Sequence, residues 1–111
     1  MITVSQEQLS SIKSAIIRVS NPRFVILFGS QARGNANQNS DIDLLVIGDP
    51  PSKGKWSRRH EIARIRRSLP NTKLPVDILF FTPEEVRKWR HTTNHIISEA
   101  FQEGEIIYER P

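Results

Sequence analysis

Cysteine is absent from the 111 residues, which excludes disulfide scaffolds, zinc–thiolate sites and thiol nucleophiles. Long apolar runs are missing as well. The longest lie at Phe24 to Phe28 and around Ile78 to Phe81, far short of a membrane span. The opening residues, Met1-Ile2-Thr3-Val4-Ser5-Gln6-Glu7, contain neither a basic nor an apolar region, so no export signal is expected. A reducing cytoplasm, away from membranes, is the expected location. There is no internal repeat and no low-complexity tract. What is present suits a single soluble domain over residues 1–111: 37% apolar and 25% charged residues, enough for a modest core. Sixteen Lys and Arg against twelve Asp and Glu leave a mild basic excess of +4.

Periodicity divides the chain into seven main elements. Ser5-Gln6-Glu7-Gln8 has the form of a capping box, and Leu9, Ile12, Ile16 and Val19 then recur at helical steps to about Ser20. Asn21-Pro22 ends that helix. Phe24 to Phe28 reads as a strand covered on both faces and stopped by Gly29. Gln31 to Arg33 suits a short helical turn capped by Ser30, and Asn35 to Ser40 a polar loop. Asp41 to Ile47 predicts a second strand, Trp56 to Leu69 a helix ended by Pro70, and Leu74 to Phe81 a third strand. Thr82-Pro83-Glu84-Glu85 opens a further helix, broken near Thr92-Thr93 and ended by Gly104. Glu105 to Tyr108 closes the chain as a short edge strand. The order α-β-β-α-β-α-β predicts an α/β (α+β) fold, a small mixed β-sheet flanked by helices.

The chemistry lies in where three aspartates fall. Asp41 and Asp43 flank Ile42 at the start of Leu44-Leu45-Val46-Ile47. Side chains two apart in a strand share a face, with Cα atoms about 6–7 Å apart. Asp77 sits within Val76-Asp77-Ile78-Leu79-Phe80-Phe81. Isolated carboxylates are costly to bury and clustered ones more so, which calls for a cation. Mg²⁺ takes hard oxygen ligands from one or two carboxylates plus substrate phosphates, and two such ions can activate an attacking oxygen and stabilise a leaving one. The plainer alternative is that Asp41 caps a loop, Asp43 faces water and Asp77 pairs with an arginine. Gly29-Ser30 directly after the first strand offers backbone N–H groups and a hydroxyl to a phosphate. Ten residues then separate Ser30 from Asp41, so one loop joins the phosphate cradle to the acidic pair.

Gly29-Ser30-x10-Asp41-x-Asp43 resembles the signature of the DNA polymerase β-like nucleotidyltransferase superfamily. Gly29-Ser30-Gln31-Ala32-Arg33-Gly34 with Ser40-Asp41-Ile42-Asp43-Leu44 resembles its minimal nucleotidyltransferase branch. Val76-Asp77-Ile78-Leu79 matches the strand carrying the third carboxylate, and the ending Glu103 to Glu109 is also similar. The resemblance implies the polymerase β-like nucleotidyltransferase fold and an active enzyme transferring a nucleotidyl group from ATP, with two Mg²⁺ ions. Asp41 and Asp43 would hold both metals. Asp77 would ligate the catalytic one and help deprotonate the acceptor. Gly29 and Ser30 would bind the triphosphate, and Arg33 either faces phosphate or shapes the loop. Minimal members of this kind pair with a HEPN-type toxin ribonuclease and act as its antitoxin by adding AMP to a toxin tyrosine. That partner is the implied acceptor. A non-catalytic binding module, and transfer to a small molecule or RNA end, are the alternatives. The triad and Gly-Ser leave one side of a nucleotide open, so a second subunit, another copy or the toxin, is expected to complete the site.

Seven Lys and Arg between residues 53 and 67, opposed by Glu61, suit either a solvated helix face or an electropositive rim for ATP or an acidic partner. With only Trp56 nearby, base stacking has little support, so nucleic acid is not the expected direct substrate. His91 and His95, four apart, read as surface or packing residues rather than metal ligands. Trp89 and Phe101 read as core, and Tyr108 as an edge packing residue.

Overall fold

The computed structural model describes residues 5–33, 41–50, 54–71 and 74–111. The chain runs α1 (Gln6–Ser20), β1 (Phe24–Phe28), α2 (Ser30–Arg33), β2 (Ile42–Ile47), α3 (Arg58–Ser68), β3 (Val76–Phe81), α4 (Pro83–Trp89), α5 (Ile96–Glu103) and β4 (Glu105–Glu109). The four strands form one mixed sheet ordered β3-β2-β1-β4. β1 is antiparallel to both β2 and β4, and β2 is parallel to β3 through the α3 crossover.

Both faces of the sheet are covered, because β1 and β2 are apolar at almost every position. Val25, Leu27, Leu44 and Val46 point to one side, where Ile12, Ile16 and Ile65 of α1 and α3 meet them. Ile26, Phe28, Leu45 and Ile47 point to the other, against Val86, Ile97 and Ala100 of α4 and α5. The small mixed sheet flanked by helices is therefore the observed architecture. Among the described residues no helix is long and apolar enough to cross a membrane.

Local chemistry sets the element ends. Ser5 and Gln8 form a reciprocal capping box, and Asn21 closes α1 in the left-handed conformation (φ 46°). Thr82 and Glu85 form the same box at α4, with Pro83 in its first turn. Several expected boundaries shift. α3 begins at Arg58 rather than Trp56, because Ser57 accepts a hydrogen bond from the His60 N–H and becomes the cap. Trp56, freed from the helix, packs against Phe80 with ring centroids 5.9 Å apart. β3 begins at Val76 rather than Leu74, because Pro75 has no N–H for the ladder, although its carbonyl accepts from the Ile42 N–H. β2 begins at Ile42, leaving Asp41 just outside. Ser30 is the first residue of α2 rather than its cap. The polar loop expected over residues 35–40 lies outside the described residues.

The break near Thr92-Thr93 is present. His95 restarts the helix by accepting the Ile97 N–H at its Nδ1, 3.1 Å away. Its ring stacks on Trp89 with centroids 4.8 Å apart. His95 is thus a cap and a packing residue. Trp89 and Phe101 join the α4/α5 core, and Tyr108 packs at the sheet edge.

Glu85 also binds the two layers through Arg58, whose guanidinium reaches both its carboxylate and the Phe80 carbonyl. Burial pushes the Glu85 carboxyl up, but hydrogen bonds from the Thr82 N–H and Arg58 outweigh it and hold it below its ordinary 4.5. A carboxyl held lower in the folded state adds stability above the unfolded value, and that stability is lost as pH falls through the folded value. Urea unfolding therefore yields a lower midpoint for Glu85→Gln than for the wild type at neutral pH. The gap narrows as pH drops below 4.5.

Candidate active site

Four of the sequence-predicted residues meet at one end of the sheet. The parallel register sets Asp43 of β2 directly opposite Asp77 of β3. Register partners on neighbouring strands lie about 4.8 Å apart and project to the same side. That side is the α4/α5 face, since Leu45 and Leu79, two residues further along each strand, belong to its core. On its other flank Asp43 pairs with Phe28, the last residue of β1, which leads straight into Gly29 and Ser30. Asp41 precedes β2 and is exposed.

Gly29 is required here twice over. Its φ of +75° is one that side chains disfavour, and a Cβ at this position would run onto the Asp43 carboxylate. The chain therefore turns sharply from β1 into α2 with bare backbone lying against the acid. Ser30 follows at the start of α2, with Gln31 buried behind it. Arg33 is the last residue of α2.

The carboxylates differ in surroundings. Asp43 is half-buried, whereas the Asp77 side chain is 56% exposed. Asp77 takes a long contact from Arg66, with Nη2 3.4 Å from its Oδ1. Among the described residues, no three His, Cys, Asp or Glu side chains converge closely enough to hold a metal ion. The donor set nevertheless fits Mg²⁺, with carboxylate oxygens in register on adjacent strands.

The basic run resolves into separate tasks. Arg58 binds Glu85, and Arg64 binds Glu61 (2.6 Å) and the Val19 carbonyl (2.8 Å). Glu61 is 9% exposed and also accepts from the Ser20 hydroxyl at 3.0 Å, so it ties α3 to α1. Arg66 alone of these three turns to a site aspartate, which is the Asp77–arginine pair of the plainer sequence alternative, although the sequence did not say which arginine. Its one sequence signal was helical spacing, since it follows Ile65, which faces the core.

A model of the family described as Polymerase beta, Nucleotidyltransferase matches residues 10–111. The chain belongs to this family. As a nucleotidyltransferase-family chain it is similar over 25 residues, at 60% identity, to a "putative protein adenylyltransferase" of Methanocaldococcus jannaschii. That stretch is 22% of this chain and 25% of the relative, so the chain matches about a quarter of that protein's length. Its fold is similar to a crystal structure of a "putative nucleotidyltransferase" from Sulfolobus solfataricus (TM-score 0.58, 18% identity, covering 95% of this chain and 86% of the other). That likeness is one of fold.

The contact between Gly29 and Asp43 makes a coupled prediction. Gly29→Ala lowers stability by about 1–2 kcal/mol from backbone strain alone, and by more where the carboxylate is present. In a double-mutant cycle by urea unfolding, the alanine costs less in an Asp43→Ala background than in the wild type. Additive costs would show that the carboxylate does not lie against the turn.

Proposed function

We propose that this chain is a protein adenylyltransferase, moving AMP from ATP to a hydroxyl of a partner protein. The observation that carries the reading is the register of Asp43 with Asp77, beside a glycine turn that admits only bare backbone. The protein adenylyltransferase name of the archaeal relative supports a protein acceptor. Resemblance to minimal nucleotidyltransferases supports a tyrosine of a HEPN-type toxin as that acceptor, and an antitoxin role for the chain.

Each residue has a task in this reading. Gly29 and Ser30 receive the triphosphate, because the backbone can approach it closely there. Asp41, Asp43 and Asp77 would hold divalent ions, which when bound neutralise phosphate charge and polarise the phosphorus. Exposed Asp77 accepts the proton of the incoming hydroxyl. The acceptor oxygen bonds to the α-phosphorus as the bond to the bridging oxygen breaks, and pyrophosphate leaves with that electron pair. The partner closes the open side of the nucleotide.

One observation favours a second reading, a binding module that silences its partner by covering it. Asp77 engages Arg66, and among the described residues no three His, Cys, Asp or Glu side chains form a metal-binding group. Neutralisation of the toxin in cells separates the two. It is lost with Asp43→Asn in the enzyme reading and kept in the binding one.

With ATP radiolabelled at the α-phosphorus, Mg²⁺ and the partner toxin, label is expected to move to the toxin. Asp43→Asn and Asp77→Asn each reduce transfer roughly a hundredfold or more. Label arriving from γ-labelled ATP, or transfer surviving both substitutions, would refute adenylyl transfer. Label on an RNA end or small molecule in place of the toxin would reassign the acceptor.

A further inference from the structure

We propose that Arg66 is a resident counter-cation for the acidic pair, holding Asp77 when no divalent ion is bound and turning to nucleotide phosphate when one is. This rests on the metal-binding part of the reading above. Arg66 lies in the last turn of α3, next to Ile65, which is fully buried on the far face of the sheet. The guanidinium passes round β3, the last strand on that side of the sheet, and meets the end of the strand nearest the site. There Nη1 donates to the Val76 carbonyl at 3.3 Å and Nη2 to Asp77 Oδ1 at 3.4 Å.

The arrangement offsets a repulsion the fold creates. Asp43 and Asp77 are opposite each other on neighbouring strands, where like charges are unfavourable. A guanidinium beside one of them relieves it. Both contacts are long, and the side chains are half-exposed, 50% for Arg66 and 56% for Asp77, so the pair exchanges easily with a stronger cation. Once a divalent ion takes Asp77, the displaced guanidinium stands at the mouth of the site. Its planar fork suits phosphate oxygens. Arg66 is therefore a competitor of the bare ion and an ally of the nucleotide-bound one, and its removal acts with opposite signs on the two.

That pair of signs is the test. Free Mn²⁺ is measured by electron paramagnetic resonance during titration of the full chain, alone and with an ATP analogue that cannot be cleaved between the α- and β-phosphates. Arg66→Gln is expected to bind bare Mn²⁺ about two- to fivefold more tightly and the analogue about two- to fivefold more weakly. Arg67→Gln, which removes the same charge one residue along, shifts both by much less. Shifts of one sign in both titrations, no shift in either, or equal shifts from Arg67→Gln would overturn the proposal. Thermal melting checks that each variant is folded. Should wild type, Asp43→Asn and Asp77→Asn bind Mn²⁺ equally poorly, the metal-binding reading falls and this one with it. A wild type whose Mn²⁺ affinity depends on the aspartates, beside an Arg66→Gln that behaves identically to it, refutes only the role of Arg66.

Discussion

Two carboxylates set side by side on parallel strands are the constraint around which this molecule is arranged. The β2–β3 register puts Asp43 and Asp77 opposite each other on one face. Like charges so placed disfavour the sheet unless a cation offsets them. Neighbouring features answer that need. The turn at Gly29 keeps bare backbone against Asp43, where a Cβ would run onto the carboxylate, and Arg66 reaches Asp77 round the edge of the sheet. In the proposed reading, a polyphosphate arriving with its own divalent ions relieves that repulsion.

Stability comes from elsewhere in the structure. The sheet interior is apolar on both faces, with Ile26, Leu44, Leu45 and Val46 fully buried. At the end of the sheet away from the aspartates the charges are paired. Asp49 accepts from Arg23 at 2.9 Å and lies 3.5 Å from Arg110. Its carboxyl is held below the ordinary range chiefly by the Arg23 hydrogen bond. The Arg110 backbone N–H and the Arg23 carbonyl, 2.8 Å apart, close the same end. One end of the sheet thus carries paired opposite charges, while the other sets two carboxylates in register. Natural proteins concentrate such local violations at functional sites.

Much of this was legible in the sequence because it depends on local chemistry. Both capping boxes, the Asn21-Pro22 stop, the break before α5 and the apolar runs of β1 and β2 follow from short-range rules, and each is present. The boundaries of α3 and β3 moved through single groups: a serine whose hydroxyl accepts the His60 N–H, and a proline without a donor before β3. The basic stretch was less readable. A run of arginines looks uniform along the chain, yet Arg58 and Arg64 are held by Glu85 and Glu61, while Arg66 turns to Asp77. Those partners lie on other elements or depend on how α3 is rotated, so spacing alone could not assign them.

The sequence by itself determined that three acids interrupt strand-forming segments and that a glycine-serine pair ends the first strand, because side-chain alternation and turn chemistry act over a few residues. The family signature is equally a matter of order along the chain. Only the tertiary structure decided that Asp43 and Asp77 are neighbours. Their proximity depends on two strands 34 positions apart pairing in parallel and in one particular register, out of several the apolar runs could have satisfied. The packing of α3 then decided which arginine meets Asp77, since the angle of a helix on a sheet is set by the side chains beneath it.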